Sequence, residues 1–169
     1  MLTGFLEPTA GEVEIAGVNI ESDRLFVQNH IGYLPESSSL YPEMTVLQYL
    51  KYVAELRGID EKLHVQYIDD AIVATDLGSK AYSQISTLSK GYRQRVGVAQ
   101  AILHKPEILI LDEPTNGLDP TQISAMRELI KNLSKTATVI ISTHIMQEVE
   151  AVCDRVLIIL NGRLALHSS

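Results

Sequence analysis

The amino-acid sequence predicts an α/β fold in which a helical segment interrupts a mainly parallel sheet. Short β-branched runs alternate along the chain with segments of helical period. Two of these runs, "ILILDE" (108–113) and "TVIIST" (138–143), are continuously apolar, which is typical of central parallel strands covered on both faces. A chain of 169 residues is long enough for one domain with a substantial core.

Three further strand segments follow from turn residues and alternation. "GEVEIAG" (11–17) alternates acidic and apolar residues between two glycines and predicts a half-exposed strand. "IGYLP" (31–35) predicts a short second strand that ends at its proline. "RVLIILNGRLAL" (155–166) predicts a hairpin, because Asn161 and Gly162 suit the two positive-φ positions of a tight turn.

The segment between the second and third strands, residues 44–95, is mainly helical in pattern. "TVLQYLKYVAELRG" has a capping residue at Thr45 and a helix-ending glycine at Gly58. "EKLHVQYIDDAIVATDLG" repeats this pattern and predicts a second helix that Gly78 closes. The segment therefore predicts a helical insertion within the α/β core.

Composition narrows the classes of function. A net charge of −7 and a pI near 5.2 argue against nucleic-acid binding and against electrostatic attachment to anionic lipid. No apolar run approaches the roughly 20 residues that span a bilayer. The start of the chain has no signal-peptide pattern, and a single cysteine, Cys153, fits a reducing compartment. We therefore expect a cytoplasmic chain.

Two adjacent acids, Asp112 and Glu113, end the buried strand of residues 108–113. Ligands of open parallel sheets bind beyond the carboxyl ends of the strands. One carboxylate could hold Mg²⁺ while the other orients or deprotonates a water; alternatively, both could be solvated acids at a strand end. His144 ends the next apolar strand, so it lies close to these acids if the two strands are neighbours; otherwise it is a structural histidine.

Two helix starts are also candidate sites. Ser89 and Gly91 precede the helical pattern of "LSKGYRQRVGVAQAIL" (88–103), and such a start can bind an anion or can be an ordinary helix cap. "PTNGLDP" is a turn in which Asp119 and Pro120 begin the following helix, with an acid at the cap and proline at the first position.

The order of these motifs resembles that of the nucleotide-binding subunits of ATP-binding-cassette (ABC) transporters. "LSKGYRQR" is similar to their signature motif, "ILILDEP" to the Walker B strand, "GLDP" to the D-loop and "STH" to the switch histidine. "LTGFLEPTAGEVEIAGVNI" is similar to the segment that follows their phosphate loop. The resemblance implies a P-loop NTPase-like core (residues 1–43 and 96–169) and an inserted helical signature subdomain (residues 44–95).

The resemblance also implies roles for the residues at the strand ends, with ATP and Mg²⁺ as cofactors. Asp112 resembles the acid that holds Mg²⁺, and Glu113 the general base that activates the hydrolytic water. His144 resembles the sensor of the γ-phosphate, and Asp119 the residue that communicates between the two sites of a dimer. Motifs in this order imply an ATPase.

The signature and Q-loop positions imply partners but depart from the usual residues. Ser89 and Gly91 resemble the residues that contact ATP bound on the opposite subunit, which implies a homodimer or a paired ATPase subunit. Lys90 and Tyr92 replace the usual glycine and glutamine of the signature. Glu36 stands at the place of the Q-loop glutamine, near the expected Mg²⁺. This variant, together with "LSKGYRQR", resembles the ABC-2 exporter branch of the family. The resemblance also implies a membrane-spanning permease as a partner and a location on the inner face of the membrane. It implies no nucleic-acid partner.

The sequence contains no G-x-x-x-x-G-K-[ST] phosphate loop. Our first hypothesis is an N-terminally truncated ATPase subunit of an exporter, in which the first part of the core is missing. The alternative is a non-catalytic module that offers its signature surface to a complete partner. A soluble ABC ATPase of DNA repair or translation is disfavoured, because the compact motif spacing leaves no room for the long insertions of those proteins. The roles implied at the strand ends are an ion ligand, a general base and a sensor of the γ-phosphate. They require that Asp112, Glu113 and His144 lie together.

Overall fold

The computed structural model describes residues 1–168 and contains the alternating pattern of strands and helices that the sequence predicts. The strands are β1 (Glu14–Ile15), β2 (Val18–Asn19), β3 (Ile31–Leu34), β4 (Ile108–Asp112), β5 (Thr138–Ser142), β6 (Val156–Leu160) and β7 (Arg163–Ser168). The helices are α1 (Arg24–Asn29), α2 (Val46–Leu56), α3 (Glu61–Ala74), α4 (Lys90–Ile102), α5 (Pro120–Leu133) and α6 (Met146–Val152).

The central sheet is parallel, with β4 between β3 and β5. Of the two apolar runs predicted as central strands, β4 lies at the centre of the sheet, as expected. The prediction was wrong for β5, which lies at the edge of the sheet among residues 1–168 and alternates between exposed and half-buried residues. Two antiparallel hairpins flank this sheet along the chain, β1–β2 and β6–β7. The second hairpin turns at Asn161 and Gly162, both with positive φ (50° and 73°), which confirms the predicted turn. None of the helices in residues 1–168 is long and apolar enough to cross a membrane.

The helix start at Thr45 is confirmed, but two other element boundaries were wrong. The predicted strand of residues 11–17 stops at Ile15, because Ala16 and Gly17 have φ of 52° and 76° and form a turn into β2. Helix α3 ends at Ala74 and not at Gly78. Asp76 takes the left-handed conformation there, with φ of 54°, which a short polar side chain tolerates.

The buried apolar residues form a helical cluster, a sheet cluster and a smaller cluster around β1 and β2. The helical cluster joins α2, α3 and α4 and includes Leu50, Ile68, Leu77 and Val96. The sheet cluster includes Leu34, Val98, Leu109, Leu111 and Met126. Helix α4 contributes to both, since neighbouring residues of a helix face different sides. The proposed boundary between residues 95 and 96 therefore falls inside a helix that packs on both parts, and the division stays a proposal.

Helix α4 lies unusually close to β3. A Cβ atom added at Gly32 would overlap the carbonyl oxygen of Ala101, so the strand must have glycine at this position. The Gln100 amide nitrogen donates to the Tyr33 carbonyl oxygen at 2.9 Å, which fixes the helix along the strand. The C-terminal half of α4 is thereby held against the sheet, and its N-terminal end lies among the helices of the insertion.

Candidate functional site

The carboxyl ends of β4 and β5 lie side by side, because Asp112 pairs with Ser142 in the parallel register. The Ser142 hydroxyl donates a hydrogen bond to a carboxylate oxygen of Asp112. The neighbouring strands that the site hypothesis required are therefore present. Asp112 is half-buried at this edge.

Glu113 leaves the sheet in a conformation that is uncommon for a residue with a side chain. Its φ is +47°, in the left-handed region, and its N–H donates to the Ser142 carbonyl oxygen at 3.0 Å. A non-glycine residue in this region is held there by its surroundings, and such strain is frequent at functional sites. The turn places the Glu113 side chain, which is only 16% exposed, against the end of β5.

The residues that follow β5 surround the Glu113 carboxylate. His144 donates its backbone N–H to Oε1 at 3.2 Å, and its ring Nδ1 lies 2.7 Å from the same oxygen. The Thr143 hydroxyl donates to Oε2 at 3.4 Å. The structure thus brings Asp112, Glu113 and His144 together, while their chemical roles remain proposals.

The contact with Glu113 changes the protonation of His144. The hydrogen bond to Glu113, and then the attraction to its charge, raise the pKa of the His144 imidazole above its usual 6.5, and Glu36 adds a smaller effect in the same direction. Because the pKa is raised on folding, this attraction is fully present below about pH 6.5 and is lost as the pH rises through the raised pKa.

We expect the substitution Glu113→Gln to lower the pKa of His144 towards 6.5, because the neutral amide removes the charge that favours the imidazolium. The pKa is measured by following the ring Cε1–H resonance in an NMR titration. Glu36→Gln is the matched control and should lower the pKa less, since Glu36 contributes the smallest of the raising effects. An unchanged pKa in Glu113→Gln would contradict the ion pair.

Glu36 lies on the turn that follows β3 and is exposed. Its Oε1 accepts a hydrogen bond from the side-chain amide of Asn116 at 3.1 Å, which links it to the turn after Glu113. Glu36 also lines a cavity of about 430 Å³, whose other wall includes Lys90 and Arg93 at the start of α4. The proposed Q-loop residue therefore lies between the turn after Glu113 and the signature segment.

The signature and D-loop residues lie at the starts of α4 and α5. The side-chain oxygen of Ser89 accepts from the Tyr92 N–H at 3.4 Å, and that of Asp119 accepts from the Gln122 N–H at 2.9 Å. Both residues are therefore helix caps in this structure. The two helix starts touch, because a Cβ atom at Gly91 would overlap the Gln122 side chain. This contact brings the signature segment and the D-loop together within one chain.

Three polar residues of the site were not assigned roles from the sequence: Ser142, Thr143 and Asn116. Each holds an acid of the site, as the contacts above show. Only their position in the sequence could have indicated a role, because Ser142 and Thr143 lie at the end of the strand next to the acids. Serine, threonine and asparagine are too common at strand ends and turns to be singled out without the register.

The donor chemistry at the strand ends fits a magnesium ion that a nucleotide shares. Within residues 1–168, no three His, Cys, Asp or Glu side chains are placed to hold a metal ion together. Magnesium is usually held by one or two carboxylates together with substrate phosphates and waters, so a full protein cage is not needed. Asp112, with one oxygen oriented by Ser142, supplies such a carboxylate.

Comparison with known proteins agrees with these motifs. The family model described as "ABC transporter" matches residues 1–116. The chain is 40% identical over 166 residues to the bacitracin transport ATP-binding protein BcrA of Bacillus licheniformis, covering 97% of this chain and 53% of that protein. It is 37% identical over 165 residues to the ABC transporter ATP-binding protein YxlF of Bacillus subtilis, covering 98% and 54%. The chain thus spans about half the length of the curated relatives it matches.

Solved structures show the same fold. The structure of an ATP-binding subunit of an ABC transporter superposes with a TM-score of 0.84 and 30% identity, covering 99% of this chain and 70% of that one. CbiO1 of Clostridium perfringens, part of the ABC transporter complex cbiONQ, superposes with a TM-score of 0.87 and 28% identity, covering 98% and 68%. From the family match, the motif order and the shared fold, we conclude that this chain belongs to the ABC transporter family, among its ATP-binding domains.

Proposed function

We propose that this chain is the ATP-binding and ATP-hydrolysing part of an ABC exporter that works with a separate membrane-spanning permease. The observation that carries the proposal is the contact of Glu113 with His144 beside Asp112, at the carboxyl ends of neighbouring strands. The similarity to a bacitracin transport protein supports a transport role, and the similarity to a part of a transporter complex supports a membrane partner. Export as the direction of transport rests on the resemblance of Glu36 and "LSKGYRQR" to the ABC-2 exporter branch. A place on the inner face of the membrane follows from this partnership.

Each residue at the strand ends has a distinct task in this proposal. Asp112 would hold Mg²⁺, directly or through water, and the chemistry that such an ion would supply is neutralisation of charge on the phosphate oxygens. Glu113 orients the attacking water and accepts its proton. Glu36 supplies a further oxygen near the ion. Asp112 is held by Ser142, and Glu113 by Thr143 and His144, so the two carboxylates can act on different atoms.

His144 has two positions in this mechanism. In the structure its backbone N–H donates to Oε1 of Glu113 and its ring Nδ1 lies against the same oxygen, so that oxygen is already engaged. An imidazole with a raised pKa can donate from both ring nitrogens, so its second N–H is suited to a γ-phosphate oxygen. Movement of His144 towards the phosphate would free Glu113 to accept the proton.

The helix starts supply the contacts between subunits in this proposal. The exposed Ser89 would offer its hydroxyl to ATP held by a second subunit, either a second copy or a paired ATPase. Gly91 is buried against the Gln122 side chain, so its backbone would approach that ATP only if Gln122 moves. Asp119 lies at the same junction of α4 and α5, where it can report the state of one site to the other. The nucleotide would then lie between two subunits.

A non-catalytic module remains the second candidate. The feature that favours it is the signature segment around Ser89, because such a segment would act on a nucleotide held by its partner and needs no phosphate loop of its own. The intact pair of Glu113 and His144 argues against it, since a module that only offers its signature has no use for them.

Equilibrium titration of the 169-residue chain with Mg-ATP tests the role of the phosphate loop. We expect only weak, millimolar binding, because the lysine and the backbone amides of that loop are not among these residues. Asp112→Asn should remove the Mg²⁺ dependence of the binding that remains, whereas the exposed Asp154→Asn is the matched control and should not. Micromolar binding by the unchanged 169 residues would contradict the role assigned to a phosphate loop.

A further inference from the structure

Helix α6, which begins two residues after His144, is anchored in an unusual way. It has seven residues, and no side chain caps its start at Ile145. Its one buried side chain is a carboxylate, Glu148, which is 6% exposed. A helix this short gains little from intrinsic propensity, so its position depends on tertiary contacts. These are the contacts of Glu148 and the packing of Val152, at the end of the helix, on the sheet cluster.

The partner of Glu148 is Arg127 of helix α5. The guanidinium donates from Nη2 to Oε1 at 2.7 Å and from Nε to Oε2 at 3.1 Å, so both carboxylate oxygens are bound. A paired fork of this kind fixes orientation as well as distance. Without the guanidinium, the buried carboxylate would lack a counter-charge, which is strongly unfavourable.

Arg127 is itself held firmly. Its neighbours in α5, Met126, Leu129 and Ile130, are buried in the sheet cluster. The same helix begins at Asp119, the proposed D-loop residue. The ion pair therefore ties the helix that follows His144 to the helix that follows Asp119.

We propose that Arg127 is a positioning residue, which acts through Glu148 to hold His144 on Glu113. The path is short: the Glu148 N–H donates to the Ile145 carbonyl oxygen at 3.0 Å, and the adjacent His144 N–H donates to Glu113. Arg127 does not touch the site itself. The role of this link in catalysis rests on the proposed function, in which His144 moves from Glu113 to the phosphate. The link would fix the position of His144 before that movement.

The test is amide hydrogen exchange of the 169-residue chain, measured by NMR without nucleotide. Arg127→Met keeps the aliphatic stem and removes the charge, and we expect the His144 amide to exchange on the order of tenfold faster relative to the amides of β4. The reversed pair, Arg127→Glu with Glu148→Arg, should restore slow exchange at His144. Lys105→Met, which breaks the separate 2.8 Å ion pair with Asp70, is the matched control and should leave His144 unchanged.

Two results would overturn the proposal. One is an unchanged His144 amide in Arg127→Met; the other is an equal acceleration of His144 and β4, which indicates general destabilisation only. If Arg127→Met does not fold, Glu148→Gln keeps the shape of the side chain, and the same two outcomes decide. Because no nucleotide is present, this result is independent of ATP hydrolysis. The link from Arg127 to His144 can hold even if the chain is not part of an ATPase, and the ATPase function can hold even if the link does not.

Discussion

Replacing Glu113 with glutamine is expected to lower ATP hydrolysis by the assembled transporter by about 10²–10⁴-fold, the usual contribution of a general base. Glutamine keeps the size of the side chain and an oxygen that can accept from His144, but its amide cannot take a proton from water. ATP binding should therefore persist, and ATP-bound dimers should accumulate. Hydrolysis is measured as phosphate release, and the dimers by size-exclusion chromatography with ATP.

Glu150→Gln is the matched control for this experiment. Glu150 is an exposed acid of α6, a few residues after His144, and its loss of charge should leave hydrolysis unchanged. Normal hydrolysis in Glu113→Gln would show that Glu113 is not the base. The same result would favour the second candidate function, a module that offers only its signature surface.

The substitution Gly32→Ala is expected to lower the free energy of unfolding by about 1–3 kcal/mol, the usual cost of an overpacked core. The added methyl would overlap the carbonyl oxygen of Ala101, and a backbone atom cannot rotate away as a side chain can. Helix α4 must shift from β3, and the hydrogen bond from Gln100 to Tyr33 must lengthen with it. Denaturant unfolding followed by circular dichroism measures the change.

Gly78→Ala separates this packing effect from the general effect of replacing a glycine. Gly78 lies in a 3₁₀ turn, no atom within 4 Å would meet its Cβ, and its φ is not positive. The variant should stay within about 0.5 kcal/mol of the unchanged chain. Equal losses in both variants would mean that the close approach of α4 to β3 does not limit stability.

The parts of the fold that could be predicted from the sequence are those with a local cause. Continuous apolar runs identified β4 and β5, a threonine followed by a helical period identified the start of α2, and Asn161-Gly162 identified the last hairpin. Each of these signals is carried by residues within one element. The roles proposed for Asp112, Glu113 and His144 came from the order of motifs, and the register of β4 and β5 then brought the three together.

The features that could not be predicted depend on residues far apart in the chain. Helices α1 and α6 were not predicted, because six and seven residues are too few for a clear period. A glutamate is expected on a solvent-exposed face of a helix. Glu148 is buried, and the residue that accounts for its burial is Arg127, 21 residues earlier in the chain. Gly78 was expected to close α3, but Asp76 does so, and it is held there by the guanidinium of Arg95 at 2.9 Å.

Helix α4 has a mechanical consequence that follows from its two packed sides. Because Val96 belongs to the helical cluster and Val98 to the sheet cluster, rotation about the helix axis would unpack one side or the other. The close approach at Gly32 also prevents the helix from sliding nearer to β3. Helix α4 would therefore transmit a displacement of α2 or α3 to the sheet with little deformation of its own.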